Sequence, residues 1–206
     1  RHDMDDGLRF LHIMGMQVKT DLFEAQSKLY ALVEELVAQG KIDLMSYEER
    51  RGRIRERELG PNALPVASSL DDLGVAHLDR GDSAVAEPLF RRAIAIREAN
   101  LGADDLQVAT SENGLAIALF QVGRLDESVA VHGRSLAIRE RVLGPASSAV
   151  AQSLNNLASV YAGLGRFAEA KAALADARRF NPYLEKHSIR VAGFDAFVIA
   201  VDRELQ

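Results

Sequence analysis

Two stretches of the chain, IAIREANLG at residues 94–102 and LAIRERVLG at residues 136–144, are near-copies of each other. The Leu-Gly pair that ends both stretches also occurs at Leu59 and Gly60, one equal interval further upstream. More positions keep this 42-residue period: Val66, Val108 and Val150; Ala67, Ala109 and Ala151; Leu73, Leu115 and Leu157; Gly81, Gly123 and Gly165. Matches at one fixed offset are the signature of a repeat array, in which each repeat is one supersecondary unit.

Each repeat has the pattern of two helices. In the first repeat we predict a helix from about residue 67 to residue 80, because its apolar or small residues fall on one helical face. These residues are Leu70, Leu73, Gly74 and His77. Gly81 is predicted to end this helix, and Asp82 to cap the N-terminus of the next one. The small residues at one repeat position, Gly74, Ala116 and Ala158, would let the paired helix approach closely.

Arginines occur in the last turns of the second helices, at Arg97, Arg139 and Arg141. Because the C-terminal end of a helix carries partial negative charge, we expect these arginines to interact with the helix dipole. The glycines that come next, Gly60, Gly102 and Gly144, are predicted to stop the helices.

The segments SLNNLASVYAGLGRFAEA (residues 153–170) and AEPLFRRAIAIRE (residues 86–98) resemble the tetratricopeptide repeat. The resemblance is to the 42-residue form found in kinesin light chains and many bacterial proteins, and it covers about residues 59–181. It implies an all-α fold, a right-handed superhelical array of antiparallel helical hairpins (a TPR solenoid). It also implies a scaffold that binds proteins or peptides, and neither an enzyme nor a cofactor-binding protein.

The repeat register divides the chain into three predicted parts. Residues 1–58 are predicted to form an N-terminal helical cap or hairpin, and residues 185–206 a C-terminal capping helix. Between them, residues 59–184 hold three repeats, predicted at residues 59–100, 101–142 and 143–184. Atypical ends are expected because an open stack end would expose its core.

Each flank has its own helix signals. Capping boxes at Asp21 with Glu24 and at Ser46 with Glu49 predict two helix starts, the second opening a charged helix to about residue 58. That charged run is either a partner-docking face or a solvated face. At the other end an apolar stripe comprises Val191, Phe194, Phe197, Val198, Val201 and Leu205. The stripe either folds back on its own chain or forms a dimer surface.

Composition excludes several functional classes. A net charge of −5 argues against a general nucleic-acid binder, which needs a basic surface. No apolar run is long enough to cross a membrane, and no phosphate loop, HExxH or GxSxG motif points to an enzyme. The histidines lack metal-ligand spacing. With no cysteine and no apolar segment at the N-terminus, we expect a cytoplasmic protein without a signal peptide.

The second repeat departs from its neighbours at core positions. Glu112 stands where the other repeats have Leu70 and Leu154, and His132 stands where they have Phe90 and Leu174. A buried Glu or His needs a partner. One interpretation is a polar pocket or a pH-sensitive joint. The other is that these side chains reach the solvent edge or satisfy each other.

The resemblance implies that the first helices line a concave groove, and the family's groove positions transfer to this sequence one by one. In the first repeat they are Ser68, Asp71, Val75, Leu78 and Asp79; in the second, Thr110, Asn113, Ile117, Phe120 and Gln121; in the third, Gln152, Asn155, Ser159 and Ala162, with Asn156 beside them. Asn113 and Asn155 suit a peptide backbone because an amide both donates and accepts hydrogen bonds. Asp71 and Asp79 would favour Lys or Arg in a ligand near the first repeat.

One ligand class is not expected. Members of the family that bind acidic C-terminal tails use a clamp of Lys, Arg and Asn, but the corresponding positions here are Asp71, Val75, Gly114, Gln152 and Asn156. With no cation to pair with a carboxylate, we predict that acidic tails do not bind. The alternative to a binding scaffold is a structural or self-association element that uses the terminal helices, so a homodimer is possible.

Overall fold

The computed structural model describes residue 28, residues 31–33 and residues 35–180. The chain divides into two compact units, residues 1–47 and residues 48–206. In the first unit, residues 31–33 and 35–38 are helical, and the backbone then takes a φ of 66° at Gly40. Three predictions lie outside the described residues. They are the capping box at Asp21 and Glu24, the C-terminal apolar stripe, and the self-association surface that this stripe could form.

From residue 44 to residue 180 the chain consists of helices joined by short turns. They are α1 (Leu44–Leu59), α2 (Leu64–Asp79), α3 (Ser83–Leu101), α4 (Leu106–Gln121), α5 (Leu125–Leu143), α6 (Ser148–Gly163) and α7 (Phe167–Phe180). Within the repeats α2 packs against α3, α4 against α5 and α6 against α7, while α3 contacts α4 and α5 contacts α6 across the joints. The predicted class, an all-α array of helical hairpins, is confirmed. No described helix is both long and apolar enough to span a membrane.

Glycines in a left-handed backbone conformation end the helices, as predicted. After the first helices Gly81, Gly123 and Gly165 have φ of 82°, 82° and 71°. After α1 and the second helices Gly60, Gly102 and Gly144 have φ of 88°, 88° and 79°. A side chain disfavours this conformation, so glycine is required at these positions. The 42-residue period of the glycines is therefore also a period in the backbone conformation.

Two predicted helix starts are wrong. Helix α2 begins three residues before its predicted start, because Pro65 lies in its first turn, where a missing N–H costs nothing. Helix α1 begins at Leu44, and its cap is Asp43, whose Oδ2 accepts a hydrogen bond from the Ser46 backbone N–H at 2.8 Å. The capping box predicted at Ser46 and Glu49 therefore lies inside the helix.

Asp82 occupies the predicted N-cap position of α3 but does not cap it. Its backbone, at φ −84° and ψ 47°, is not extended, and its side chain makes no capping hydrogen bond. Instead the carboxylate lies 3.7 Å from His77 Nδ1 and 3.6 Å from Arg80 Nε. By contrast, Asp105 at the start of α4 is extended and accepts a hydrogen bond from the Gln107 backbone N–H at 2.7 Å.

The charged helix α1 is connected to the first repeat by polar contacts. Arg51 pairs with Asp72 of α2, and Glu56 pairs with Arg92 of α3. Other charged residues of the helix, such as Arg53, are exposed. The alternative of a wholly solvated face is therefore only partly correct, because one side of α1 contacts the array.

The core between the first two repeats is built around Phe90 of α3, which is only 1% exposed. Its ring lies against two glycines. A Cβ added at Gly74 would be 2.8 Å from Cζ of the ring, and one added at Gly114 would be 2.4 Å from Cε1. Gly74 thus permits the close approach of the paired helix, as predicted. Gly114 occupies the position of Asp72 and Asn156 in the other repeats. It lies on the next hairpin and leaves space for the same Phe90 ring.

His132 occupies the position of Phe90 in the second repeat and is 1% exposed. Its Nδ1 has no hydrogen-bond partner in the described part of the chain. Burial, and then the charge of Arg139, lowers the pKa of His132 to about 4. Glu112, which was expected to satisfy His132 or reach solvent, is also buried and pairs with Arg134 of α5. Both alternatives of that expectation are wrong: the two side chains neither reach the solvent edge nor satisfy each other.

We predict that His132 makes the protein sensitive to acid. The folded-state pKa lies below the ordinary value of 6.5, so the unfolded chain takes up a proton first, and stability present above pH 6.5 is lost as the pH falls towards 4. Between pH 7 and pH 5 this loss should reach about 2 kcal/mol. His132→Leu copies Leu174 of the third repeat and removes the titrating group. Between pH 7 and pH 5 the free energy of unfolding of this variant should therefore fall by about 2 kcal/mol less than that of the wild type. Equal losses in urea titrations of the two proteins would rule out His132 as the cause.

Candidate functional site

Hydrogen bonds connect the first helices of successive repeats and bring several predicted groove residues together. Between α2 and α4, the hydroxyl of Ser111 donates to Asp71 Oδ1 at 2.9 Å. Between α4 and α6, Asn156 Nδ2 donates to Asn113 Oδ1 at 3.0 Å. The predicted positions of all three repeats therefore lie along one run of neighbouring helices.

The predicted groove residues differ in exposure. Those exposed to solvent are Val75, Asp79, Thr110, Gln121 and Gln152. Those that are half-buried are Ser68, Asp71, Leu78, Asn113, Ile117, Phe120, Ser159 and Ala162, while Asn155 and Asn156 are buried. A ligand could reach the first group directly and the second in part, whereas the two buried amides of α6 are largely covered by the protein itself.

Several of these side chains already have intramolecular roles. The hydroxyls of Thr110 and Ser159 donate to carbonyls one turn earlier, Leu106 O at 3.0 Å and Asn155 O at 3.1 Å. Leu78 packs against the core that surrounds Phe90. The Ser68 hydroxyl similarly donates to Leu64 O at 3.4 Å. These residues shape the surface, but part of their hydrogen-bonding capacity and apolar area is already used within the fold.

A ladder of arginines crosses the joints between repeats. Arg55, Arg97 and Arg139 each donate from Nη1 to a serine hydroxyl on the next first helix: Ser69 at 2.8 Å, Ser111, and Ser153 at 2.6 Å, respectively. Each also donates to a carbonyl of that helix: Pro65, Gln107 and Ala149, at 3.2, 3.2 and 3.3 Å. Arg97 and Arg139 are buried, and their guanidinium groups bridge adjacent repeats, a role that the expected interaction with the helix dipole does not include.

The sequence contains the signal for this ladder. Both the arginines and the serines keep the 42-residue period, and Arg55 extends the register into α1. Helix α1 falls within the N-terminal cap predicted at residues 1–58, separate from the three repeats. Its Arg55 nevertheless makes two of the hydrogen bonds that Arg97 makes, to a serine hydroxyl and to a carbonyl of the next first helix, so the ladder begins in α1.

The ladder changes what Asp71 can do. Its carboxylate pairs with Arg97 and accepts the Ser111 hydroxyl, so its charge is compensated inside the protein. Burial raises the pKa of Asp71, and the neighbouring Arg97 opposes that rise. The expected attraction of Lys or Arg to this end of the groove therefore rests on the exposed Asp79.

The second repeat lacks this carboxylate. Asn113 takes the position of Asp71, and no ion-pair partner of Arg139 is found in the described part of the chain. Burial lowers the pKa of Arg139. In the ranges that the structure describes, no cluster of three His, Asp or Glu side chains could hold a metal ion. The polar side chains at these predicted groove positions are therefore amides, Asn113, Asn155 and Asn156, and not carboxylates.

Comparison with known proteins identifies the repeats. Two family models, both described as tetratricopeptide repeat, match residues 66–106 and 107–181, which together make up more than half of the chain. No curated protein matches the chain significantly.

Solved structures share the fold. BtubC (BKLC) from P. vanneervenii is 21% identical with a TM-score of 0.62, over 71% of this chain and 59% of that one, so the chain spans less than two thirds of it. Two structures of a kinesin-light-chain-like protein of Podosopora anserina, with nearly identical TPR-like repeats, are 22% and 21% identical, with TM-scores of 0.62 and 0.60. They align over 75% and 77% of this chain and 74% of theirs. The chain belongs to the tetratricopeptide repeat family, whose arrays are protein-interaction scaffolds.

Proposed function

We propose that the surface formed by α2, α4 and α6 captures an extended segment of a partner protein, in the cytoplasm. The observation that carries this proposal is the amide pair Asn113–Asn156 at the joint between α4 and α6. Its single hydrogen bond leaves the Asn113 amino group and the Asn156 oxygen without another partner in the described part of the chain. An amide that both donates and accepts can pair with the backbone of a peptide of any sequence.

Apolar side chains occupy predicted groove positions in the first two repeats. Val75 is 49% exposed, and Ile117 takes the same repeat position in α4. Phe120 lies half-buried one turn further along. In the third repeat the equivalent residues are the smaller Ser159 and Ala162. A ligand would therefore place its apolar side chains over the first two repeats and fix its backbone at the joint of the second and third.

The proposal is tested by removing both members of the amide pair. Asn113→Ala combined with Asn156→Ala leaves no orphaned partner, so the fold should persist, whereas about 1–3 kcal/mol of ligand hydrogen bonding should be lost. We expect capture of the partner from a lysate of the source cells to weaken about tenfold or more.

The matched control is Arg166→Ala with Glu169→Ala, which removes an exposed hydrogen-bonded pair outside the groove. Both variants should unfold at about the same temperature as each other. If the amide double variant captured the partner as well as the wild type, the groove assignment would be wrong. If both variants lost capture equally, the loss would reflect a general effect on the fold.

A further inference from the structure

A crevice of about 240 Å³ opens between the second helices α3 and α5. Its floor is Glu112 of α4, and its charged walls are Glu98, Asp104, Arg134 and Arg141. None of these residues belongs to the proposed groove. Three carboxylates thus face two guanidinium groups in one small space.

The carboxylate of Glu112 is only half satisfied. The residue is 2% exposed, and its Oε1 pairs with Arg134 Nη2. Its Oε2, equally buried, finds no hydrogen-bond donor among the described residues. Arg141 is engaged with Asp104 at 2.6 Å, so it is not the missing donor. A buried carboxylate oxygen without a donor is costly and needs an explanation.

The equivalent crevice of the first repeat shows what is unusual. There the floor is the apolar Leu70, and Arg92 of α3 pairs with Glu56 of α1 across the mouth. Arg134 and Glu98 occupy the positions of Arg92 and Glu56, one repeat later. In the second repeat, however, the arginine pairs with Glu112 on the floor, and within the described ranges Glu98 has no ion pair.

The fold does not require a carboxylate at this position. Leu70 and Leu154 fill it in the neighbouring repeats, and both are buried. Burial, opposed by Arg134 and assisted by the nearby Glu98, raises the pKa of Glu112. Glu112 therefore costs stability that a leucine would not, and a ligand that supplies positive charge to the crevice would offset this cost.

We propose that this crevice is a second docking site, which binds a cationic side chain, arginine or lysine, of a partner protein. The cation donates a hydrogen bond to Glu112 Oε2 and neutralises Glu98, while Arg134 stays on Oε1. Arginine is well suited because its fork presents several donors in one plane. The site is separate from the amide groove, so it can be occupied or lost independently.

The test is an NMR titration of the full chain with N-acetyl-arginine methylamide and, in parallel, the corresponding lysine derivative. N-acetyl-citrulline methylamide, which has the shape of the arginine probe without its charge, is the ligand control. We expect saturable shifts of the backbone amides of Ala103, Ala137 and Ile138 with the cationic probes. Citrulline should bind about tenfold more weakly.

Glu112→Leu, which copies the neighbouring repeats and should fold well, is expected to abolish these shifts, and Glu98→Gln should weaken binding severalfold. The Asn113→Ala, Asn156→Ala variant should bind the probes like the wild type, which separates this site from the groove. Shifts of equal size with citrulline, shifts that persist in Glu112→Leu, or an absence of shifts at the crevice with both cations would each overturn the proposal.

Discussion

Asp71→Ala is expected to lower the free energy of unfolding by about 3–5 kcal/mol, because it leaves the buried guanidinium of Arg97 without its carboxylate. Arg97 would retain only the Ser111 hydroxyl, Ser68 and the Gln107 carbonyl as acceptors. These cannot neutralise a charge that is held away from water. Urea denaturation followed by circular dichroism measures the loss.

The second repeat supplies the control for this prediction. Asp71→Asn gives the first repeat the residue that the second repeat has at the same position, Asn113, so it keeps a hydrogen-bond acceptor while removing the charge. Its cost should be smaller, about 1–2 kcal/mol. A loss below about 1 kcal/mol for Asp71→Ala would show that the ladder does not depend on this ion pair.

Gly114→Ala should lower the free energy of unfolding by about 3 kcal/mol, the upper part of the usual range for overpacking. The new methyl group would meet three atoms of the Phe90 ring at 2.4 to 2.8 Å. The ring also lies against Gly74, so it has little room to move away from the methyl group. This cost exceeds the roughly 1 kcal/mol that alanine gains over glycine inside a helix.

Gly133→Ala is the matched control, because a Cβ at this position of α5 would meet nothing within 4 Å. It should stabilise the protein by up to about 1 kcal/mol, the opposite sign. Adding Phe90→Leu to Gly114→Ala should recover part of the loss, since the shorter side chain leaves space for the methyl group. If both glycine substitutions changed stability alike, the ring would not be the reason for Gly114.

The sequence was sufficient for the features that repeat. The period, the glycines that end the helices and the small residue at Gly74 all follow from local backbone and packing rules that act within one hairpin. Gly114 could not be explained in this way, because its cause is a ring on a different hairpin. The position of His132 in the core was visible, but its lack of a partner depends on neighbours that only the structure provides.

Charged residues were the least predictable part of the site. An arginine near a helix end can serve the dipole or reach across to the next helix, and composition does not distinguish these roles. The recurrence of Arg97 and Arg139 together with Ser111 and Ser153 does distinguish them, because a dipole needs no serine in matching register on the next helix. Likewise Asp71 has the position of a groove residue, yet its carboxylate is used inside the fold.

The central claim, that a partner lies along α2, α4 and α6, is tested most directly by site-specific photo-crosslinking. A benzophenone side chain would replace Thr110 or Gln152, which are exposed on the groove helices, or Ala130, which is exposed on α5. In a lysate of the source cells, we predict that the first two positions form adducts with the same partner protein and that Ala130 does not. Adducts at Ala130 and none at Thr110 or Gln152 would contradict the claim.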